Sequence, residues 1–346
     1  MDITQKPTRI AIIGFGRWGR FCHAALIEAA PKLELAGIAS SNPEKRAEIE
    51  SELGVRAYES FEQVLADDSV EAVTLATPND THFPYALRAL EAGKHVVTDK
   101  PMCLSLAECD AMIDAATKNG RLLSTFQNRR RDGDFLTLQK LLEDGELGDL
   151  RWLEMAWGGF GQWGGWRSTR EHGGGKFFDL GAHLIDQALL LIPHPVTGVY
   201  LRLHHDHAGS EVESEAFLTM EFANGATAIC DTSSLSAIAK PRFYARGMKA
   251  TWCKYGLDPQ ENALKNGDLS LSREDPAFYG TLKDANFERK VETLEGRWRD
   301  FYENFALAAR GEAQLLAPPA DTRRVMVIFE AAWQSARDGQ VIKTEI

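Results

Sequence analysis

Arg9-Ile10-Ala11-Ile12-Ile13-Gly14-Phe15-Gly16-Arg17-Trp18-Gly19 is the stretch whose reading decides the fold. A short apolar run stops at three glycines spaced G-x-G-x-x-G, and Phe21 to Ala30 then carries apolar residues at helical spacing. The stretch reads as strand, tight turn and helix. In a dinucleotide-binding unit the first glycine makes the turn, the second lets the backbone approach a pyrophosphate, and the third lets helix and strand close on each other. The helix start offers unpaired amides to the phosphates. Three glycines at a turn can also serve the turn alone, so the strand before and the helix after carry the dinucleotide reading. Gly14, Phe15, Gly16, Arg17, Trp18 and Gly19 are the first candidate cofactor residues.

Leu33 to Ala39 reads as a second strand, ending at Ser40-Ser41-Asn42-Pro43. An NAD-binding unit places an acid on the ribose 2'-hydroxyl about 20 residues beyond the glycines. Ser40, Ser41 and Asn42 stand there instead, with Lys45 and Arg46 just inside the next helix. Small hydroxyls followed by cations suit a 2'-phosphate, so NADP(H) is favoured, with Ser40, Ser41 and Arg46 as candidates. Ser40 and Ser41 also tolerate NAD(H), and Lys45 and Arg46 could equally be a solvated helix face.

The alternation continues with strands at Ala57-Tyr58, Ala72 to Ala76, His95 to Thr98 and Arg121 to Phe126, and helices at Phe61 to Ala66, Phe83 to Ala92 and Leu106 to Asn119. Repeated strand-helix units predict a doubly wound parallel sheet whose ligands collect at the carboxyl ends of the strands. Thr77-Pro78-Asn79, Asp99-Lys100-Pro101 and Gln127-Asn128-Arg129-Arg130-Arg131 all fall at such ends. Proline holds Lys100 out of helical geometry and fixes its direction. The five polar residues from Gln127 are either substrate contacts or a domain hinge.

Beyond a helix at Asp134 to Glu143 the texture changes. Trp152 to Trp157 alternates as a strand, and Trp163 and Trp166 then sit among five glycines between Gly158 and Gly165. Such a loop closes over a ligand ring or buries its own rings at an oligomer contact. Gly173-Gly174-Gly175-Lys176-Phe177-Phe178-Asp179-Leu180-Gly181-Ala182-His183 follows, with a helix from Asp179 through Leu191. Asp179 and His183, four apart, share one helix face. Singly they read as a cap and a core histidine. Together with Lys100 they read as a proton-transfer set, in which His183 exchanges the proton of a substrate hydroxyl while Asp179 and Lys100 orient and polarise that oxygen.

On these residues the chain resembles the glucose-fructose oxidoreductase and inositol dehydrogenase (Gfo/Idh/MocA) family, nearly end to end. The likeness rests on Gly14 to Gly19, Ala76-Thr77-Pro78-Asn79 with His82, Asp99-Lys100-Pro101, Trp166-Arg167 and Gly173 to His183. It is greatest for the NADP-dependent scyllo-inositol dehydrogenase branch, through Asn79 to Pro84, Gln127 to Arg130 and Lys254 to Glu261. The resemblance implies Lys100, Asp179 and His183 as the catalytic set, and Thr77, Pro78, Asn79, His82, Asp99, Lys100, Asn128, Trp166 and Arg167 along the cofactor. It implies Asn128, Arg129 and Trp163 beside Lys100, Asp179 and His183 at the substrate. The chain departs from the family's usual Glu-Lys-Pro with Asp99. It also departs from the charged, proline-containing segment that the branch carries where Gly158 to Gly165 stands.

The remainder reads as strands at Val199 to His204, Glu215 to Phe222, Ala226 to Thr232, Arg242 to Gly247, Ala250 to Tyr255 and Arg289 to Thr293. Helices at Leu294 to Arg310 and Asp321 to Arg337 follow, joined by a Pro318-Pro319 connector. The expected class is α/β. A dinucleotide-binding Rossmann domain over 1–127 precedes an α+β domain over 128–346 with an open, largely antiparallel sheet, and the last helix is placed against the first domain. His204-His205-Asp206-His207 looks like a metal cluster, but neighbours on a strand point to opposite faces, and no metal is expected.

A net charge of -11 (39 Lys plus Arg against 50 Asp plus Glu) disfavours nucleic acid and anionic membranes as partners. No run approaches the ~20 apolar residues of a membrane span, and Met1 to Thr4 opens no leader pattern, so a cytoplasmic location is expected. Five cysteines without C-x-x-C spacing read as packed thiols. The expected function is hydride transfer between a nicotinamide and a secondary alcohol or hemiacetal carbon of a cyclic polyol or sugar: inositol-like, aldose or anhydrosugar. The resemblance implies a homodimer or homotetramer through the C-terminal sheet. An NAD-assisted glycosidase and a non-catalytic dinucleotide-sensing regulator are the alternatives.

Overall fold

The apolar runs of the first part become six strands: β1 (Thr8–Ile13), β2 (Leu33–Ala39), β3 (Arg56–Tyr58), β4 (Ala72–Leu75), β5 (His95–Thr98) and β6 (Leu123–Thr125). The computed structural model describes residues 6–268 and 272–346, so Met1 to Thr4 lies outside the described residues. All pairings among the six are parallel, in the order β3-β2-β1-β4-β5-β6. Buried on both faces, β1 and β4 need no polar alternation, and Ile10, Ala11, Ile12, Ala72, Val73 and Leu75 are all fully buried. The strand order reverses between β1 and β4, which opens a crevice for a ligand at their carboxyl ends.

The helix after β1 begins with a π-helical turn, Gly19–Ala24, and continues as Ala25–Glu28. The helices after β2, β3 and β5 start where a side chain can accept the orphan amides: Asn42 takes Glu44 and Lys45 N–H, Ser60 takes Gln63 N–H and Ser105 takes Glu108 N–H. The chain divides into two compact units, and neither is continuous. The first comprises residues up to Asn128 with Glu261–Leu269 and Arg297–Thr322. Its core joins Ile10, Ile12 and Phe126 to Trp298, Phe301, Tyr302 and Phe305, the last three from the helix Arg299–Ala309.

The second unit takes Arg129–Gln260, Ser270–Gly296 and Arg323–Ile346. Nine strands form its sheet: β7 (Leu150–Gly158), β8 (Val196–His204), β9 (Glu215–Phe222), β10 (Thr227–Ser233), β11 (Phe243–Gly247), β12 (Thr251–Lys254), β13 (Gly280–Lys283), β14 (Glu288–Val291) and β15 (Ile342–Lys343). The order is β14-β13-β12-β11-β7-β10-β9-β8-β15, antiparallel except where β7 meets β10. The helix Ala182–Leu191 is buried at nine of its residues and packs against β10.

The long C-terminal helix runs Pro319–Asp338. Proline lacks the N–H that a first turn leaves unpaired, so Pro319 opens the helix rather than serving as a connector. Residues up to Thr322 belong to the first unit, and from Arg323 onward the helix belongs to the second. There Phe329 and Trp333 pack on Phe177 and Phe178.

Candidate functional site

The glycine turn ends β1 with Gly14 at φ 101°, in the region that favours glycine, and a Cβ there would lie 2.7 Å from the Ala76 carbonyl oxygen. A Cβ on Gly19 would collide with the Gly14 carbonyl, whereas one on Gly16 would meet nothing within 4 Å. The first and third glycines thus pack strand to helix, and the second leaves exposed backbone that a pyrophosphate can approach. A dinucleotide fits this cradle. Phe15, 5 % exposed, and Trp18 turn their rings into the hydrophobic core, Trp18 against Phe21 and Trp298. Their backbone, rather than their rings, faces the turn. Arg17 is exposed.

At the end of β2, Arg46 Nη1 donates to the Ser40 and Ser41 carbonyls at 3.0 and 3.1 Å, and Lys45 Nζ donates to the Phe15 carbonyl at 3.0 Å. Both cations fold back over the strand ends. They are not a solvated helix face.

Thr81 Oγ1 donates within its own turn, to Thr77 Oγ1 at 2.5 Å and the Pro78 carbonyl at 2.6 Å, and Asn79 is 3 % exposed. His82 is fully buried, its Nδ1 2.9 Å from the Pro101 carbonyl and its Nε2 3.1 Å from the Thr77 carbonyl. His82 braces the loops after β4 and β5. Burial lowers its pKa.

The Lys100-Pro101 peptide is cis. Asp99, just before it, accepts the Lys100 N–H at 2.9 Å through Oδ1, and its Oδ2 lies 3.6 Å from Nε2 of the buried His23. His23 Nδ1 is 2.7 Å from the Tyr302 hydroxyl, which is 3.1 Å from Thr74 Oγ1. Burial alone would raise the Asp99 pKa, but His23, then Lys100, hold it down at about 2. The short acid is therefore an anion fixed beneath the lysine. Asn128 ends this unit's first segment, 2 % exposed, and among the described residues its Nδ2 donors have no hydrogen-bond partner.

In the second unit the triple glycine packs against the Trp166-Arg167 turn: Gly174 N–H donates to the Thr169 carbonyl and Gly175 N–H to the Arg167 carbonyl, at 2.9 and 3.0 Å. A Cβ on Gly174 would lie 2.5 Å from the Arg167 carbonyl oxygen, and one on Gly175, at φ 105°, would lie 2.5 Å from the Glu213 carboxylate. Glu213 accepts the Phe177 N–H at 2.7 Å, and burial raises its pKa.

Asp179 lies in the π-helical turn Phe177–Gly181 and His183 just inside the helix that continues it, so both belong to one helical run. Arg167 Nε is 3.6 Å from Asp179 Oδ2, and the Arg167 guanidinium stacks over Trp166 at 4.4 Å. His183, 3 % exposed, stacks on Trp157 with centroids 5.9 Å apart. Trp157 in turn carries the guanidiniums of Arg129, at 4.7 Å, and Arg242, at 5.3 Å. Arg129 is 2 % exposed.

Trp163 lies 4.9 Å from Lys176 Nζ, which also donates to the Ser233 carbonyl at 2.9 Å. A charge-assisted hydrogen bond of about 1.5–3 kcal/mol and a cation-π contact of up to about 2 kcal/mol stand against a desolvation cost of several kcal/mol for a buried ion. The balance is near even, and burial lowers the Lys176 pKa against the opposing field of Asp179.

Trp157, Lys176, His23 and Tyr302 escaped the sequence reading. Trp157 closes a strand and Lys176 lies inside the quoted glycine motif, so position was a usable signal for both. His23 and Tyr302 are 279 residues apart, and no local pattern pairs them. Asp206 and His207 of the apparent metal cluster bond to Ser214 and Ser234, and among the described residues no group of three or more His, Cys, Asp or Glu is placed to hold a metal. No helix among the described residues is long and apolar enough to cross a membrane.

Residues 8–127 match the family model for an oxidoreductase family with an NAD-binding Rossmann fold, and residues 135–253 match the GFO/IDH/MocA C-terminal domain. The oxidoreductase YdgJ of Escherichia coli K12 is 34% identical over 339 residues, covering 95% of this chain and 96% of that protein. IolW of Bacillus subtilis 168, a scyllo-inositol 2-dehydrogenase (NADP(+)), is 30% identical over 349 residues, covering 97% and 96%. Among solved structures, yvaA of Bacillus subtilis in its triclinic form superposes with a TM-score of 0.91 at 28% identity, over 98% of this chain and 99% of that one.

Proposed function

Since the chain belongs to the GFO/IDH/MocA oxidoreductase family, we propose that it transfers hydride between NADP(H) and a secondary alcohol or hemiacetal carbon of a cyclic polyol or sugar. The observation that carries this reading is the pair Asp179 and His183 on one helical run behind the triple glycine, in a chain whose first sheet ends in a dinucleotide cradle. Bound, the nicotinamide supplies the hydride acceptor or donor.

The residues that would hold it are the Gly14 to Gly19 backbone, Thr77 to Asn79, and Arg46 with Ser40 and Ser41 toward a 2'-phosphate. His183 takes the hydroxyl proton as a general base and returns it in the reverse direction. Asp179 holds the reacting hydroxyl for His183 while Arg167 offsets its charge, and Lys100, carried on the Asp99 anion, donates to the substrate oxygen as negative charge develops. IolW supports both the NADP preference and the polyol class. The open face of the nine-stranded sheet suits pairing with a second copy, as a homodimer or homotetramer.

The test is nicotinamide absorbance with NADP+ and NAD+ separately, against inositols, aldoses and anhydrosugars. Reduction by one of them fixes cofactor and substrate class together, and silence across the panel with dinucleotide binding intact rejects the dehydrogenase. With a substrate in hand, His183→Ala should lower turnover by roughly 10²- to 10⁴-fold, the usual worth of a general base.

A further inference from the structure

Among the described residues of the second unit, three of the five buried cations meet an acid, and Arg242 and Lys176 do not. Arg130 makes a bidentate pair with Asp186, at 2.8 and 2.6 Å, and Lys254 meets Glu274 at 2.7 Å. Arg129 has Asp132 at 3.5 Å, whereas Arg242 donates to the Gln187 amide oxygen at 2.5 Å and has only the fields of Asp134 and Asp132. Lys176 is 6 % exposed and has a carbonyl and a ring but, among the described residues, no carboxylate within ion-pair reach. The one acid whose field opposes its burial, Asp179, has Arg167 for a partner.

We propose that Lys176 is a substrate-recognition residue whose ammonium takes an anionic oxygen, carboxylate or phosphoryl, of a sugar or polyol. The inference rests on the dehydrogenase reading above and adds the charge of the substrate to it.

Three observations point the same way. Lys176 stands one turn before Asp179, in the helical run that carries His183, so a ligand at those residues lies within a lysine's reach. An ammonium has three protons to donate, and Ser233 accepts one, leaving donors for an anion. Its aromatic neighbour, Trp163, follows the stretch of the loop that Gly159 and Gly161 hydrogen-bond to Ser233 and Ser234, and the next glycines, Gly164 and Gly165, have open space beside them. A chain of net charge -11 repels anions at long range, and a local cation with no carboxylate partner among the described residues is the means by which it can still select one.

The competing role is mechanical. The Ser233 carbonyl accepts the Gly159 N–H as well as Lys176, so the lysine also ties the end of β10 to the glycine loop. Lys176→Met keeps most of the stem and removes the charge, while Lys176→Arg keeps the charge. The full-length protein and both variants are titrated by tryptophan fluorescence with D-glucuronate, D-glucose 6-phosphate and D-glucose, without cofactor, and assayed with the same three for hydride transfer.

The wild-type protein should bind one anionic sugar roughly tenfold or more tightly than glucose, the worth of one charge-assisted bond. Lys176→Met should abolish that ratio and Lys176→Arg largely keep it. Glucuronate alone preferred names the carboxylate, and the phosphate ester alone names the phosphoryl group. Equal binding of all three by the wild type, or an unchanged ratio in Lys176→Met, overturns the proposal.

If Lys176→Met fails to fold, the wild type decides alone: raising the salt should weaken anionic binding and leave glucose binding as it was, and equal salt dependence overturns the assignment. Selective anionic binding without nicotinamide reduction by any sugar would sink the dehydrogenase reading while keeping the role of Lys176.

Discussion

On the proposed NADP(H) reading, Arg46 is the side chain that would set cofactor choice. Its guanidinium is held by two backbone carbonyls at the end of β2, where an acid would serve NAD, so it is oriented before any ligand arrives. Glu59, 3.8 Å away, is a weak and largely exposed competitor. A charge-assisted bond to a 2'-phosphate is worth about 1.5–3 kcal/mol, or roughly 10- to 150-fold. Arg46→Ala should therefore raise the KM for NADP+ by roughly that factor and change the KM for NAD+ by less than about threefold. Equal losses for both cofactors would make Arg46 a brace of the Ser40-Ser41 turn. At this scale the glycines and Asp99-Lys100 were legible because each has a local signature. The orientation of Arg46, the burial of His82 and the platform under His183 were not, since each depends on contacts with residues distant in the sequence.

At the scale of the element, the helix Gly133–Glu143 depends on a distant carboxylate. Asp258 Oδ2 accepts the Gly133 N–H at 2.6 Å, and its Oδ1 accepts the Gln260 N–H at 2.8 Å. Burial, then repulsion from Asp134, raise the Asp258 pKa to about 6 despite these bonds. An acid whose folded pKa lies above its unfolded value of about 3.9 binds its proton more tightly in the native state. Stability should thus fall as the pH rises from about 4 to about 6, by roughly 3 kcal/mol for this group alone, and stay level above.

Asp258→Asn should remove that slope in urea unfolding followed from pH 4 to 7. Its stability at pH 7 should gain less than the full amount, because one amide oxygen cannot serve both backbone donors. An unchanged slope would assign the pH dependence elsewhere. The helix itself was readable from its apolar spacing. β13 and β15 were not, being four and two residues long with their periodicity supplied by neighbours.

For the whole molecule, the threading of the chain matters more than its linear order. Rossmann alternation predicts a boundary near residue 127; the first unit has three segments, of which the first ends at Asn128. The later segments of that unit could not be read this way. Nothing local in Arg297–Thr322 says that its aromatic residues complete a core begun about 300 residues earlier. Trp298, Phe301, Tyr302 and Phe305 are each at most 2 % exposed there. At about 1.5–3 kcal/mol for each large apolar side chain buried, the four contribute roughly 6–12 kcal/mol. That rivals the entire 5–15 kcal/mol stability typical of a domain. A fragment of residues 1–128, although it holds all six parallel strands and the glycine turn, should therefore show no cooperative urea transition and no NADP+ binding by fluorescence. The full chain should gain about 2.7 kcal/mol at an NADP+ concentration 100 times its Kd. A fragment that unfolds cooperatively and binds would show that the strand-helix alternation alone specifies the unit, and that its C-terminal aromatic residues are dispensable.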